Sequence, residues 1–156
     1  MIQHKAISYI KGNNETDEES DQLEIKDFFE QYANAFSKRD LAGVVNAYSF
    51  PIVFYLEDGT SHLMNEPEFY ENSKKLIAIY EGIGMEMVNF RVVSIKQINP
   101  SSSLVEIEWS LLDPNGNQLV NFITVYIVGN QNSKLKIIGV FLVNEREKIF
   151  ALTQTY

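Results

Sequence analysis

Residues Ser103–Val143 read SLVEIEWSLLDPNGNQLVNFITVYIVGNQNSKLKIIGVFLV, and the alternation within this stretch decides the fold. Val105, Ile107, Trp109 and Leu111 alternate with Glu106, Glu108 and Ser110, which is the period of a half-buried strand. Asp113-Pro114-Asn115-Gly116 and Gly129-Asn130-Gln131-Asn132 interrupt the pattern with residues suited to hairpin turns. A further strand precedes the stretch, separated from it by Asn99-Pro100-Ser101-Ser102. The spacing thus predicts four long strands, near Met85–Ile98, Ser103–Leu112, Gln118–Val128 and Lys134–Val143. Short loops between consecutive strands imply an antiparallel meander.

Upstream the period changes to that of helices. Ile25, Phe28, Phe29, Tyr32, Ala33 and Phe36 share one helical face, so a first helix is expected over Gln22–Ser37, with Asp21 and Glu24 as an acidic capping pair. Asp40 is suited to cap a short second helix, Leu41–Tyr48. After Pro51, Ile52–Leu56 is β-branched and aromatic and reads as a strand; Asp58-Gly59 turns it back toward a short return strand, Thr60–Met64. Asn65 caps a third helix with Pro67 in its first turn and an inner stripe of Phe69, Ser73, Leu76, Ile77 and Tyr80; Gly82 and Gly84 can end it. Helices first and strands after is the α+β arrangement: three N-terminal helices packed on a strongly curved antiparallel sheet.

The last two strands are apolar on both faces. Phe122, Thr124 and Tyr126 oppose Ile123, Val125 and Ile127; Leu135, Ile137, Phe141 and Val143 oppose Ile138, Val140 and Leu142. The helices cover one face, so a homodimer through the other face of the sheet is expected.

The chain has 156 residues, which suits one domain. Its 45% hydrophobic content excludes a chain disordered throughout. The formal net charge is −8, which disfavours phosphate backbones and anionic membranes, so neither nucleic acid nor membrane is expected as a partner. With no cysteine, disulfides, thiolate catalysis and cysteine metal sites are excluded. His4, Lys5, Ser8 and Lys11 interrupt the apolar residues of the N-terminus, so no signal peptide is read there and a cytoplasmic location is the simplest expectation. Residues 1–21 are expected to form a polar, acidic leader, 22–150 a single domain and 151–156 a tail, with the segment after Glu145 either a short helix or a crossing arm.

The opening run FEQYANAFSKRDLAGVVNAY, Phe29–Tyr48, pairs an aromatic helical face with a turn at Asp40 and a second helix ending in an aromatic residue. With the element order that follows, it resembles the NTF2-like superfamily of cone-shaped, cystatin-like α+β folds over about Gln22–Phe150. The SnoaL-like members are the nearest in kind. Laid over Glu30–Gly59 without a gap, the pattern of the related ketosteroid isomerases puts their oxyanion-hole tyrosine on Tyr32. Two tyrosines that hydrogen-bond with it are similar to Tyr48 and Tyr70. Leu56 stands where that family has its general-base aspartate, and Thr124 where it has a protonated carboxylic acid. Glu57 is next to Leu56 but should face the opposite way. The resemblance therefore implies the fold and not steroid isomerisation.

Strand parity and helix stripes give the expected interior of the cone. It comprises Tyr32, Phe36, Tyr48, Phe54, Leu56, Tyr70, Tyr80, Trp109, Phe122, Thr124 and Tyr126, with Phe141 at its margin. Two readings stand: these side chains fill a core, or they ring a pocket for a small, largely apolar ligand. His62, after the Asp-Gly turn, is either a group at the pocket mouth or a surface residue on an edge strand. No metal-ligand spacing, phosphate loop or nucleophile elbow is present, and no cofactor is expected. Arg91 is placed to pair across strands with Glu106 or Glu108.

The leading expectation is a dimeric module holding a small apolar ligand. The alternatives are a cofactor-free isomerase, cyclase or lyase, and a protein-interaction module using the acidic leader or the open sheet face. In the enzyme, Tyr32 and Thr124 would stabilise an oxyanion, while His62 or a carboxylate not evident from the sequence would move the proton.

Overall fold

The computed structural model describes residues 2–153, with side chains from Glu18 onward. Helix α1 spans Ile2–Ser37, α2 Leu41–Asn46, β1 Ile52–Tyr55, β2 Ser61–Met64 and α3 Glu66–Gly82. The sheet continues with β3 Met87–Asn99, β4 Ser102–Leu112, β5 Gln118–Gln131 and β6 Lys134–Leu142, and α4 closes the chain over Glu145–Thr153. Among the described residues no helix is long and apolar enough to cross a membrane.

The first helix starts twenty residues earlier than the expected Gln22 and runs through the polar, acidic stretch. No proline occurs before Pro51, and Glu, Lys and Gln are good helix formers, so a polar stretch is no stop signal. His4 and the side chains up to Asp17 lie outside those described. From Ile25 on the expected stripe is the buried one: Ile25, Phe29, Tyr32, Ala33 and Phe36 are all buried. At the far end the segment after Glu145 is the short helix α4, which runs to Thr153; residues 154–156 lie outside the described part.

Two turn devices fix the helices. Asp40 accepts from the Gly43 amide at 3.1 Å and caps α2. Arg39 takes a positive φ of 57° between α1 and α2. Its guanidinium donates to the carbonyls of Ser37, Glu86 and Met85 at 2.6–2.9 Å, tying that turn to the start of β3. Asn65 caps α3 through the Glu68 amide at 3.0 Å, and Gly84, with φ 98°, turns the chain from α3 into the sheet.

The six strands form one sheet in the order β2-β1-β6-β5-β4-β3. The β3–β6 meander is antiparallel as the loops imply, and the sheet also holds one parallel pairing, β1 against β6 with Phe54 opposite Val140. Arg91 pairs with Glu108 directly across β3 and β4, Nε to Oε1 at 3.1 Å. The inner face of β4 and β5 is the one read from alternation: Val105, Ile107, Trp109, Leu111, Phe122, Thr124 and Tyr126 are each at most 5% exposed.

On β6 the parity breaks. Ile127 opposes Gly139 and Val128 opposes Ile137, leaving Ile138 as an extra residue in the strand. The bulge lets Ile137 and Val140 both point inward, 0% and 1% exposed, and turns Phe141 outward. Phe141 is therefore no interior residue. It stacks on Tyr55 at 4.5 Å between ring centroids, and both rings are partly exposed. The outer face keeps Ile123, Val125, Ile127 and Ile138 half-buried, with α4 packed along β5.

Candidate functional site

The core of the cone is a lattice of rings. Phe29, fully buried, lies with its centroid 5.0–6.5 Å from those of Tyr32, Phe90, Trp109 and Tyr126. Such edge-on and tilted packing fills most of the space that the sequence left open for a ligand. What remains is a cavity of about 80 Å³, room for a few water molecules or a very small ligand.

Most of the expected interior residues meet there. Tyr32, Phe36, Tyr48, Phe54, Tyr80, Trp109, Phe122, Thr124 and Tyr126 line the cavity, joined by Phe69, Asn72 and Ser73. Two do not. Tyr70 sits one residue past the inner stripe of α3, is 39% exposed, and has the Lys74 ammonium 5.9 Å from its ring centroid. A helix turns about 100° per residue, so Phe69 points inward and Tyr70 does not. Leu56 lies beyond the end of β1; its amide donates to the Thr60 carbonyl in the turn, and it is outside the cavity.

The acid–base candidates around the Asp-Gly turn also lie outside. His62 Nε2 meets Glu68 Oε2 at 2.8 Å, both side chains about half exposed. Asp58 accepts from the Thr60 hydroxyl and amide, and these bonds hold its carboxyl below the usual range. Glu57 faces Arg146 at 3.7 Å.

Polar contacts inside the cavity form three groups. Tyr32 and Tyr48 share a hydrogen bond of 2.5 Å between their hydroxyls. Trp109 Nε1 donates to the Tyr126 hydroxyl at 2.9 Å. Tyr80 donates to Glu145 Oε2. Burial drives all four phenols well above their ordinary pKa, so they stay neutral donors.

Thr124 has no partner. It is 2% exposed, and among the described residues its Oγ1 is the one buried side-chain polar atom without a hydrogen bond. It stands near enough to Tyr126 to favour that phenol's ionised form, yet no bond of normal geometry closes between them. An unpaired buried hydroxyl costs about 1–3 kcal/mol.

Glu145 is the residue sequence reasoning missed. It begins α4, is half-buried, and lines the cavity. Loss of water raises its carboxyl from 4.5 to about 7; the Tyr80 hydrogen bond opposes that rise and the nearby Glu57 charge adds to it. Among the described residues no Lys, Arg or His lines the cavity. A glutamate opening a short, polar helix carries no sign of burial in the sequence; only the register that sets Thr124 opposite Leu142, three residues earlier, brings it in.

The model of the family described as NTF2-like protein (DUF6841) matches residues 18–145. The chain belongs to this NTF2-like family. The match spans α1 from Glu18 to the first residue of α4, so it includes every element lining the cavity. Solved structures agree on the fold. An NTF2-like protein of unknown function from Shewanella oneidensis is 16% identical, with 77% of this chain and 96% of that one covered and a TM-score of 0.63. A Nostoc punctiforme domain of unknown function with a cystatin-like fold is 17% identical over 86% and 85%, TM-score 0.60. A ketosteroid isomerase-like protein from Erwinia carotovora atroseptica is 10% identical over 76% and 92%, TM-score 0.57. At these identities the likeness is one of fold. No curated protein matches the chain. Within the NTF2-like cone, Glu145 on α4 is the cavity's only carboxylate among the described residues.

Proposed function

We propose that this NTF2-like protein is a cytoplasmic homodimer that holds a small ligand, mostly apolar with one polar end, in the cone. The observation that carries the reading is the unpaired Thr124 hydroxyl in a ring-lined cavity. Buried side-chain hydroxyls in folded proteins nearly always have a protein, water or ligand partner. The cavity's size limits the buried part of the ligand to a few heavy atoms. Native mass spectrometry of freshly purified protein, before and after denaturation, tests this. A released small molecule supports it; an empty protein that also leaves small polar-ended probes unbound in solution sinks it.

The dimer belongs to the same reading. Ile123, Val125 and Ile127 give the outer face a half-buried apolar strip, bordered by the exposed rings of Tyr55 and Phe141. Sedimentation should give twice the 17.9 kDa chain mass, and Val125→Lys should halve it. A monomeric wild type would refute the dimer and leave the pocket untouched.

One observation favours a second, enzymatic reading. Glu145 sits near neutrality beside the Tyr80 phenol, a state suited to moving a proton at physiological pH. Tyr32 and Thr124 would then donate hydrogen bonds to developing negative charge. In an isomerase, cyclase or lyase of this kind Glu145→Gln loses activity by two orders of magnitude or more. Unchanged turnover in that variant would remove Glu145 from the chemistry.

A further inference from the structure

We infer that the polar end of the ligand is a small organic cation, an alkylammonium group held by the Glu145 carboxylate, the Thr124 hydroxyl and the surrounding rings. This rests on the pocket reading above and adds the charge of its occupant. Three observations point the same way. Glu145, half-buried, presents its carboxylate to the ring-lined cavity, where Tyr80 donates to its Oε2. Among the described residues no basic side chain lines the cavity, and Arg146, next to Glu145 in the chain, pairs with Glu57 outside it. Glu145 thus has a hydrogen bond but no counter-ion, a state that a bound cation relieves.

The walls supply the second element. Tyr48, Phe54, Phe69, Trp109, Phe122 and Tyr126 surround about 80 Å³, so an occupant stays within the roughly 6 Å over which ring faces attract a cation. Thr124 supplies the third: among the described residues its buried hydroxyl accepts no hydrogen bond, so its lone pairs are uncommitted toward an ammonium N–H brought against that wall. The net charge of −8 favours the approach of cations from solution. A carboxylate ligand would meet Glu145 with no cation to offset it. A neutral carbonyl or alcohol would use the Thr124 hydroxyl but leave the ionised carboxylate uncompensated, and charge compensation outweighs a neutral hydrogen bond in a desolvated site.

Glu145 is faced by Tyr80 from α3, Tyr48 after α2, Tyr126 on β5 and the charge of Glu57 after β1, with Arg146 beside it on α4. The phenols stay neutral, so between pH 6 and pH 8 Glu145 is the group in the cavity that changes charge.

The test is ligand-detected NMR on the full chain with isopropylammonium, 2-propanol and propionate, small enough for the cavity and able to report weak binding. Isopropylammonium is expected to bind about tenfold more tightly at pH 8 than at pH 6, following the ionised fraction of Glu145. 2-Propanol should bind more weakly and without that pH dependence, and propionate most weakly of all. Bound isopropylammonium should also move the titration of the Glu145 carboxyl carbon to lower pH, since the coupling is reciprocal. In Glu145→Gln, which keeps an acceptor for Tyr80, the pH dependence of cation binding should vanish. Equal binding of cation and alcohol, or pH-independent cation binding, overturns the inference and leaves the pocket standing. Preference for propionate overturns it as well. Binding of none of the probes overturns both.

Discussion

The phenol of Tyr80, in the last turn of α3, donates to the carboxylate of Glu145 at the first residue of α4. Two segments 65 residues apart thereby meet at the cavity, and the bond favours the ionised form of the one carboxylate that lines it among the described residues. A donor to a carboxylate stabilises the ionised form. In Tyr80→Phe the Glu145 carboxyl should therefore titrate above its present value of about 7. Carbon-13 NMR of the side-chain carboxyl reads this directly, and a lower or unchanged value would show that the phenol does not hold the charge.

Stability should fall as pH rises across the titration of Glu145. Its carboxyl ionises at 4.5 in the open chain and at about 7 in the fold, so the folded state holds the proton more tightly. The stabilising contribution is complete below pH 4.5, is lost between 4.5 and 7, and is absent above. A shift of this size corresponds to a few kcal/mol, on the order of 1.4 per unit. Urea unfolding at pH 5 and pH 8 should show wild type losing more stability than Glu145→Gln. Parallel losses in the two proteins would place the pH dependence elsewhere.

Replacing Thr124 by valine removes the unpaired hydroxyl and keeps the branched shape. The variant should be more stable than wild type by about 1 kcal/mol, since no hydrogen bond is lost and a buried polar group is removed. It should at the same time bind small polar-ended ligands less well, the trade expected of a functional site. A clear loss of stability would mean that the hydroxyl has a partner in solution.

Tyr32 and Tyr48 satisfy each other, so they should couple. Tyr32→Phe strands the Tyr48 hydroxyl and should cost about 1–2 kcal/mol, and Tyr48→Phe a similar amount. The double variant should cost clearly less than the sum, because it leaves neither hydroxyl unpaired. Additive effects in this cycle would deny the bond an energetic role.

Local sequence determined more of the fold than of the site. The apolar alternation of Val105–Leu111 and of Phe122–Tyr126 fixed which face turns inward, because a strand side chain has only two sides to choose between. The stripe from Ile25 to Phe36 did the same for α1, and Asp40 and Asn65 marked helix starts through caps that the structure contains. These signals are local, and the hydrophobic effect acts on them residue by residue. Where the chain departed from regular geometry, the local signal failed. An extra residue at Ile138 reversed the parity of β6 and moved Phe141 outward. On α3, where the geometry is regular, the stripe placed Phe69 inward as read, and Tyr70, expected there from the family resemblance, points out. Tertiary structure alone decided the chemistry. How far the rings fill the cone depends on how they pack against one another, which composition does not encode. Glu145 becomes a desolvated acid only because β5, β6 and α3 close around it, and Thr124 becomes an unpaired hydroxyl only because its neighbour Tyr126 does not meet it in hydrogen-bond geometry. Burial and pairing are properties of long-range contacts, and a sequence read by local pattern does not contain them.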